Sequence, residues 1–457
     1  MMKIKVLSRN PDDYLRETKR DIHKVPRNYD PALHPLQAQR EYVRALNATK
    51  LERVFAKPFI GNLEGHNDGV TCFAKHPSLL VTMASGAYDG GICVWDLPTR
   101  ECKRKIDAHD GWVRGICYNT DGSKFLTVGD DKTIKTWNSY VSDQEIEYER
   151  DEEPVNVIMS KTMLTGITHH KNEPIFATCG ETCYLWEETR TIPLQTMSFQ
   201  VDTMHDIKFN QLHSHLIGAC GSDRSVILYD KREAKPVKKV TMTLRPNRMS
   251  WSPKQAYIFA VANEDYNGYS FDYRYLKNPT KIYKGHVQAV LDVDWSPTGE
   301  ELVTGSYDKT IRIFAAHQSS AREIYHTKRM QHVTSIGWSM DNKYVFSGSD
   351  EMNIRLWKAR ASEKLGALRP REKFAFSYNE AIKERFAAHP QIKRIARHRQ
   401  LPKYVYNEAK NLRLQINRLK RKESNRRVNS KPDTVPFVAE LSTKVIKEEE
   451  PKKKRKF

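Results

Sequence analysis

The chain has 457 residues, 39% hydrophobic and 29% charged, enough apolar sequence for a large folded core. Its formal net charge of +20 argues for an anionic partner. No run of 18 apolar residues and no signal-peptide pattern is present, and the seven cysteines are odd in number and lack paired CxxC spacing. A membrane protein, a disulfide framework and a zinc site are therefore not expected. Buried thiols, no metal, no cofactor and an intracellular protein are expected instead.

Residues 1–56 are polar and basic, with prolines at 26, 31 and 35. They read as an extended N-terminal arm with one helix near Leu36–Leu51. From residue 57 to 365 the pattern changes. An aromatic residue closes a short β-branched run at Trp95, Trp137, Trp186, Tyr229, Phe271, Phe314 and Trp357, spaced by 42, 49, 43, 42, 43 and 43 residues. Gly-His near the start and Trp-Asp near the end of such units resemble WD40 repeats, which implies an all-β, seven-bladed propeller. The segment Phe59–Leu63 is expected to supply the outer strand of the last blade and so close the ring.

The resemblance implies a buried hydrogen-bonded cluster of His, Asp and Trp in each complete blade. Unit one offers His66, Asp89 and Trp95; unit two offers His109, Asp131 and Trp137. Unit six keeps His286 and Asp308 but ends in Phe314. Unit seven has His332 and Trp357 with Glu351 in place of Asp, and units three to five lack an obvious His. His169, His170, His213 and His215 fall in expected hairpin turns and read as solvated. No phosphate-binding loop, HExxH or GxSxG pattern occurs, so no catalytic residue and no small-molecule substrate are expected.

Charge is unevenly divided. Residues 57–365 hold 38 basic and 39 acidic residues, whereas residues 366–457 hold 26 and 10. The region 366–430 reads as a basic helical module. Ser377 and Glu380 fit a capping box for a helix to Ala388. A second helix from Pro390 to Arg399 exposes Lys393, Arg394, Arg397 and Arg399. A third, from about Lys403 to Arg427, places Val405, Ala409, Leu412, Ile416 and Leu419 in a docking stripe. Lys420, Arg421, Lys422, Arg426 and Arg427 form its basic face, which suits an RNA backbone. Residues 431–457 read as a flexible tail ending in Lys452, Lys453, Lys454, Arg455 and Lys456, a basic cluster that fits nuclear import.

The opening Lys3–Arg9 with Asp12, Asp13 and Tyr14, the seven units, and Arg369–Lys373 through Lys403–Tyr406 together resemble the SOF family of WD40 proteins. That resemblance implies a nucleolar protein of the small-subunit processome, with precursor ribosomal RNA, the small nucleolar RNA–protein particle and other processome proteins as partners. A second resemblance concerns Tyr229-Asp-Lys-Arg and Phe271-Asp-Tyr-Arg. Both resemble the WDxR motif, lacking its Trp, by which some propellers dock on a cullin-RING ligase adaptor. Asp230, Arg232, Asp272 and Arg274 would make that contact, although Asp-x-Arg after a strand is also a local ion pair.

Overall fold

The computed structural model describes residues 34–139, 153–198, 201–233, 235–431 and 434–449. The opening residues 3–14, Pro26 and Pro31 of the arm, and the cluster Lys452–Lys456 lie outside that range. The chain divides into two compact units: residues 56–363 with 399–457, and residues 1–55 with 364–398.

The larger unit is a seven-bladed propeller. Among the described residues its seven antiparallel sheets have four strands each, except one with five. The first strand of each blade touches the first strand of the next, and Val70–Lys75 of blade one meets Val333–Trp338 of blade seven. Each aromatic of the repeat lies on the third strand, where Trp95, Trp137, Trp357, Tyr229, Phe271 and Phe314 are all nearly inaccessible to solvent. Burying one such ring contributes roughly 2–3 kcal/mol, a reason for a large aromatic at each of these positions.

Phe59–Glu64 pairs antiparallel with Asn353–Lys358, with Leu63 opposite Ile354. The ring thus closes between its first and last strands, as the sequence pattern requires. One strand was not foreseen. Val445–Glu449, inside the expected flexible tail, adds a fifth strand to blade four along Pro236–Met242. The pairing is charge-matched: Lys238 meets Glu448 at 3.7 Å, and Lys444 meets Asp265 at 3.2 Å.

The ring is also tied across its axis. Arg248, on the first strand of blade five, donates to the Thr71 carbonyl of blade one at 2.9 Å and to Asp292 of blade six at 3.2 Å. Burial pushes the Asp292 carboxyl up, while the Arg248 guanidinium pulls it back. Lys75 of blade one pairs with Asp294 of blade six.

The smaller unit is helical. Helix α1 (Gln37–Val54) begins one residue later and ends three residues beyond the expected helix. It packs with α2 (Pro370–Arg385) and α3 (Pro390–Arg397) around Ala45, Ile382 and Ile392. Ion pairs Lys383–Glu52 at 2.8 Å and Arg385–Glu41 at 2.6 Å hold the two ends of the chain together. The start of α2 corrects the expected capping box. Glu372, not Glu380, reaches back to the cap residue Arg369, and Pro370 occupies the first turn. Ser377 lies inside the helix and bonds the Phe374 carbonyl. The last helix, α4 (Lys403–Val428), belongs to the larger unit.

Candidate interaction surfaces

Blade two holds the fullest polar cluster. His109 Nδ1 lies 2.9 Å from Asp131 and its Nε2 lies 2.8 Å from Thr127 Oγ1, which also accepts the Trp137 indole N–H at 3.0 Å. The hub is therefore a threonine hydroxyl that relays between ring and imidazole. Gly129 lets the imidazole lie flat on the strand, since a Cβ there would sit 2.6 Å from the ring. Burial pushes His109 down, against Asp131, so the neutral tautomer with the proton on Nδ1 fits the chain of donors.

Ser85 repeats this relay in blade one, between His66 and Trp95; at the equivalent place Thr178 and Ser347 accept only the indole N–H in blades three and seven, and Thr304 meets only His286 in blade six. In blade six His286 bonds Asp308 at 2.9 Å and Thr304 at 2.8 Å, but Phe314 donates nothing. There burial pushes the Asp308 carboxyl up, yet His286 and Arg312 outweigh it and hold the group at about 2.

Blade one departs from the expectation. His66 and Trp95 both meet Ser85, but the Asp89 carboxylate accepts the Gly91 N–H at 3.0 Å and makes no hydrogen bond to His66. The reason is visible across the blades. Asp131, Asp223, Asp265 and Asp308 each accept the N–H two residues on, across a residue of positive φ: Lys132, Arg224, Tyr266 and Lys309. The aspartate's common task is to cap its own tight turn. Reaching a histidine is an addition. In blade seven Glu351 pairs with Arg355, and His332 stacks on Tyr307.

The histidines read as solvated are mostly not. His170 is buried; its Nδ1 accepts the Asn172 and Glu173 N–H groups. His169 bonds Glu188 at 2.7 Å. His213 and His215 stack on each other. Burial lowers His66 to about 4 and also lowers His76, His109, His170 and His286. Unfolded histidine takes up its proton near 6.5, so between 6.5 and 4 the unfolded chain binds more protons. Stability should be full above pH 6.5 and fall steadily as pH drops toward 4. Denaturant midpoints measured across that window would check it; a flat profile would contradict it.

The two Asp-x-Arg motifs sit at the same connection, third strand to fourth, in adjacent blades four and five. Their geometry is nearly identical. Arg232 Nη2 lies 2.7 Å from Asp230, and Arg274 Nη2 lies 2.7 Å from Asp272. In each, the Asp also accepts the Arg backbone N–H at 2.9 Å. The local ion pair is real, yet the arginines remain outward-facing: their side chains are 65% and 51% exposed, and Arg274 lies over the Tyr257 ring at 3.9 Å. Each fork is held by its Nε and Nη2 edge, and no described residue bonds its Nη1.

The basic residues of the C-terminal helices separate into two groups. Arg399 is engaged, bonding the Arg322 carbonyl at 2.8 Å and Glu323 at 3.2 Å. Arg427 pairs with Glu423 at 3.0 Å and lies over Phe437 at 4.9 Å. Lys420 reaches Glu440 at 3.6 Å while staying mostly exposed. Arg421, Lys422 and Arg426 are exposed on α4 and make no ion pair with the described residues; Lys393, Arg394 and Arg397 are exposed on α3. The stripe of α4 is docked only at its start. Val405 is buried and Ala409 and Leu412 half-buried, but Ile416 and Leu419 are exposed. Among the described residues no group of His, Cys, Asp and Glu could hold a metal ion, and no helix is long and apolar enough to cross a membrane.

A closed seven-bladed ring with a buried aromatic, Trp in four blades, on each third strand defines a WD-repeat propeller. Residues 57–96, 100–138, 277–314 and 323–358 match the WD domain, G-beta repeat family, and residues 359–445 match the Sof1-like domain. Each matched repeat runs from one blade's outermost strand to the aromatic-bearing strand of the next. The chain is 55% identical over 445 residues to "DDB1- and CUL4-associated factor 13" of Xenopus tropicalis, covering 97% of this chain and 99% of that one. It is 54% identical to the Homo sapiens protein of the same name, with the same coverage. It is 40% identical over 464 residues to "Protein SOF1" of Saccharomyces cerevisiae, covering 97% and 94%. The chain belongs to the Sof1-like family of WD-repeat proteins.

Proposed function

We propose that the protein is a non-catalytic scaffold of the nucleolar small-subunit processome, required for pre-rRNA processing and small ribosomal subunit assembly. The observation that carries this reading is the division of charge. A ring with 38 bases and 39 acids is joined to a helix whose Arg421, Lys422 and Arg426 stand exposed in one short stretch. Phosphate contacts are what such a row suits, because release of counterions rewards each one without reading base identity. The ring then supplies protein-binding edges and loops. The import cluster Lys452–Lys456 supports a nuclear and nucleolar location. Crosslinking in nuclear extract should place RNA on residues 390–430, and nuclease should release the protein from a large particle. Unchanged sedimentation after nuclease with no crosslink in that range would overturn direct RNA binding.

A second reading is favoured by the paired Asp-x-Arg forks and by the name of the vertebrate relatives. In it the protein is also a substrate receptor of a cullin-RING ubiquitin ligase, with Arg232 and Arg274 offering their Nη1 groups to the adaptor. Arg232→Ala with Arg274→Ala should reduce adaptor co-purification at least tenfold and leave rRNA maturation intact. Adaptor retained at wild-type level would refute that site.

A further inference from the structure

The apolar stripe of α4 has a second half that no described residue covers. Its spacing of 4, 3, 4, 3 from Val405 to Leu419 is that of a heptad seam, in which every first and fourth position faces a partner helix. In that register Ala409 and Ile416 take the first position and Leu412 and Leu419 the fourth. The seam is buried at Val405, half-buried at Ala409 and Leu412, then open at Ile416 and Leu419, which are 49% and 65% exposed. The same line of side chains therefore begins in the folded unit and continues into solvent.

The flanks of a heptad seam choose the partner, because they meet the partner's flanks across the pair. Here the flanking positions beside the open half are Arg413, Gln415, Lys420 and Lys422. None is acidic. The chain itself shows what these bases attract: Glu440 sits 3.6 Å from Lys420. In a parallel pair of two copies Lys422 would oppose Arg427, which disfavours self-association.

We propose that the open half of this seam docks a helix of another protein, one with heptad apolar residues and glutamate or aspartate at its flanks. The bases that lie off the seam, Arg418 and Arg421, face away from such a partner and stay free for other contacts. One helix thus presents a protein-binding edge that shares Lys422 and Arg426 with the basic row and leaves Arg421 on its back.

The test uses the full-length chain and two fluorescent three-heptad peptides with the same Leu and Ile core. One has Glu at both flanks, whose mutual repulsion keeps it unpaired, and the other has Lys. Anisotropy should show the Glu peptide binding at least tenfold more tightly. Ile416→Asp or Leu419→Asp should weaken it at least tenfold without loss of helix, since both side chains are already exposed. Changing Arg413, Lys420 and Lys422 together to Glu should transfer the preference to the Lys peptide. Three results would overturn the proposal: equal binding of both peptides or of neither, binding that survives Ile416→Asp and so needs only charge, or self-association of the chain that Ile416→Asp abolishes.

Discussion

A valine at Thr127 is expected to destabilise blade two by about 2–6 kcal/mol, although the side chain keeps its shape and its apolar contacts. The hydroxyl serves two buried neighbours, His109 at 2.8 Å and Trp137 at 3.0 Å. Removing it leaves the indole N–H without an acceptor and the imidazole without a donor. Each orphaned buried group costs roughly 1–3 kcal/mol. Blade six provides the internal comparison. Thr304 serves His286 at 2.8 Å, but Phe314 asks for nothing. Thr304→Val should therefore cost about 1–3 kcal/mol, one orphan rather than two. Unfolding midpoints of the two variants, with hydrogen exchange across residues 113–138, would read the difference. Equal costs would show that the indole bond contributes nothing.

Changing Arg421, Lys422 and Arg426 together to glutamine should lower affinity for single-stranded RNA by roughly 50–100-fold near physiological salt. It should also flatten the slope of log K against log salt by about 2, since each phosphate contact to a single strand contributes about 0.7. These three are the informative positions because their side chains are exposed and make no ion pair with the described residues. Lys420 and Arg427 have acidic neighbours within the chain and would report a mixture of effects. Filter binding at several salt concentrations would measure both quantities. A reduced affinity with an unchanged slope would mean that the helix had been altered rather than its phosphate contacts removed.

The ring was legible because its signal is redundant. Seven aromatics at nearly one spacing, each on a β-branched run, repeat the same local statement, and the closing strand Phe59–Glu64 follows from having one strand too few at the other end. The hub hydroxyl also carries a signal in the sequence. Ser85, Thr127 and Ser347 each lie ten residues before their tryptophan, and Thr178 eight before Trp186. The expected His–Asp contact of blade one failed for a different reason. Asp89 and Asp131 look alike in sequence, and both cap their own turns, but the two histidines sit differently relative to them.

The amino-acid sequence by itself determined the architecture, the placement of positive charge and the helical spans of the C-terminal arm. These depend on period, composition and nearest neighbours along the chain. The tertiary structure decided what depends on distant segments meeting. It set Val445–Glu449 on blade four, where Lys238 meets Glu448. It sent Arg248 across the axis to Thr71, and joined α1 to α2 and α3 over more than three hundred residues of intervening chain. It also sorted the basic residues, taking Arg399 into an ion pair with Glu323 and leaving Arg426 exposed. Charge is written in the sequence, but its availability depends on which acid the fold brings within reach.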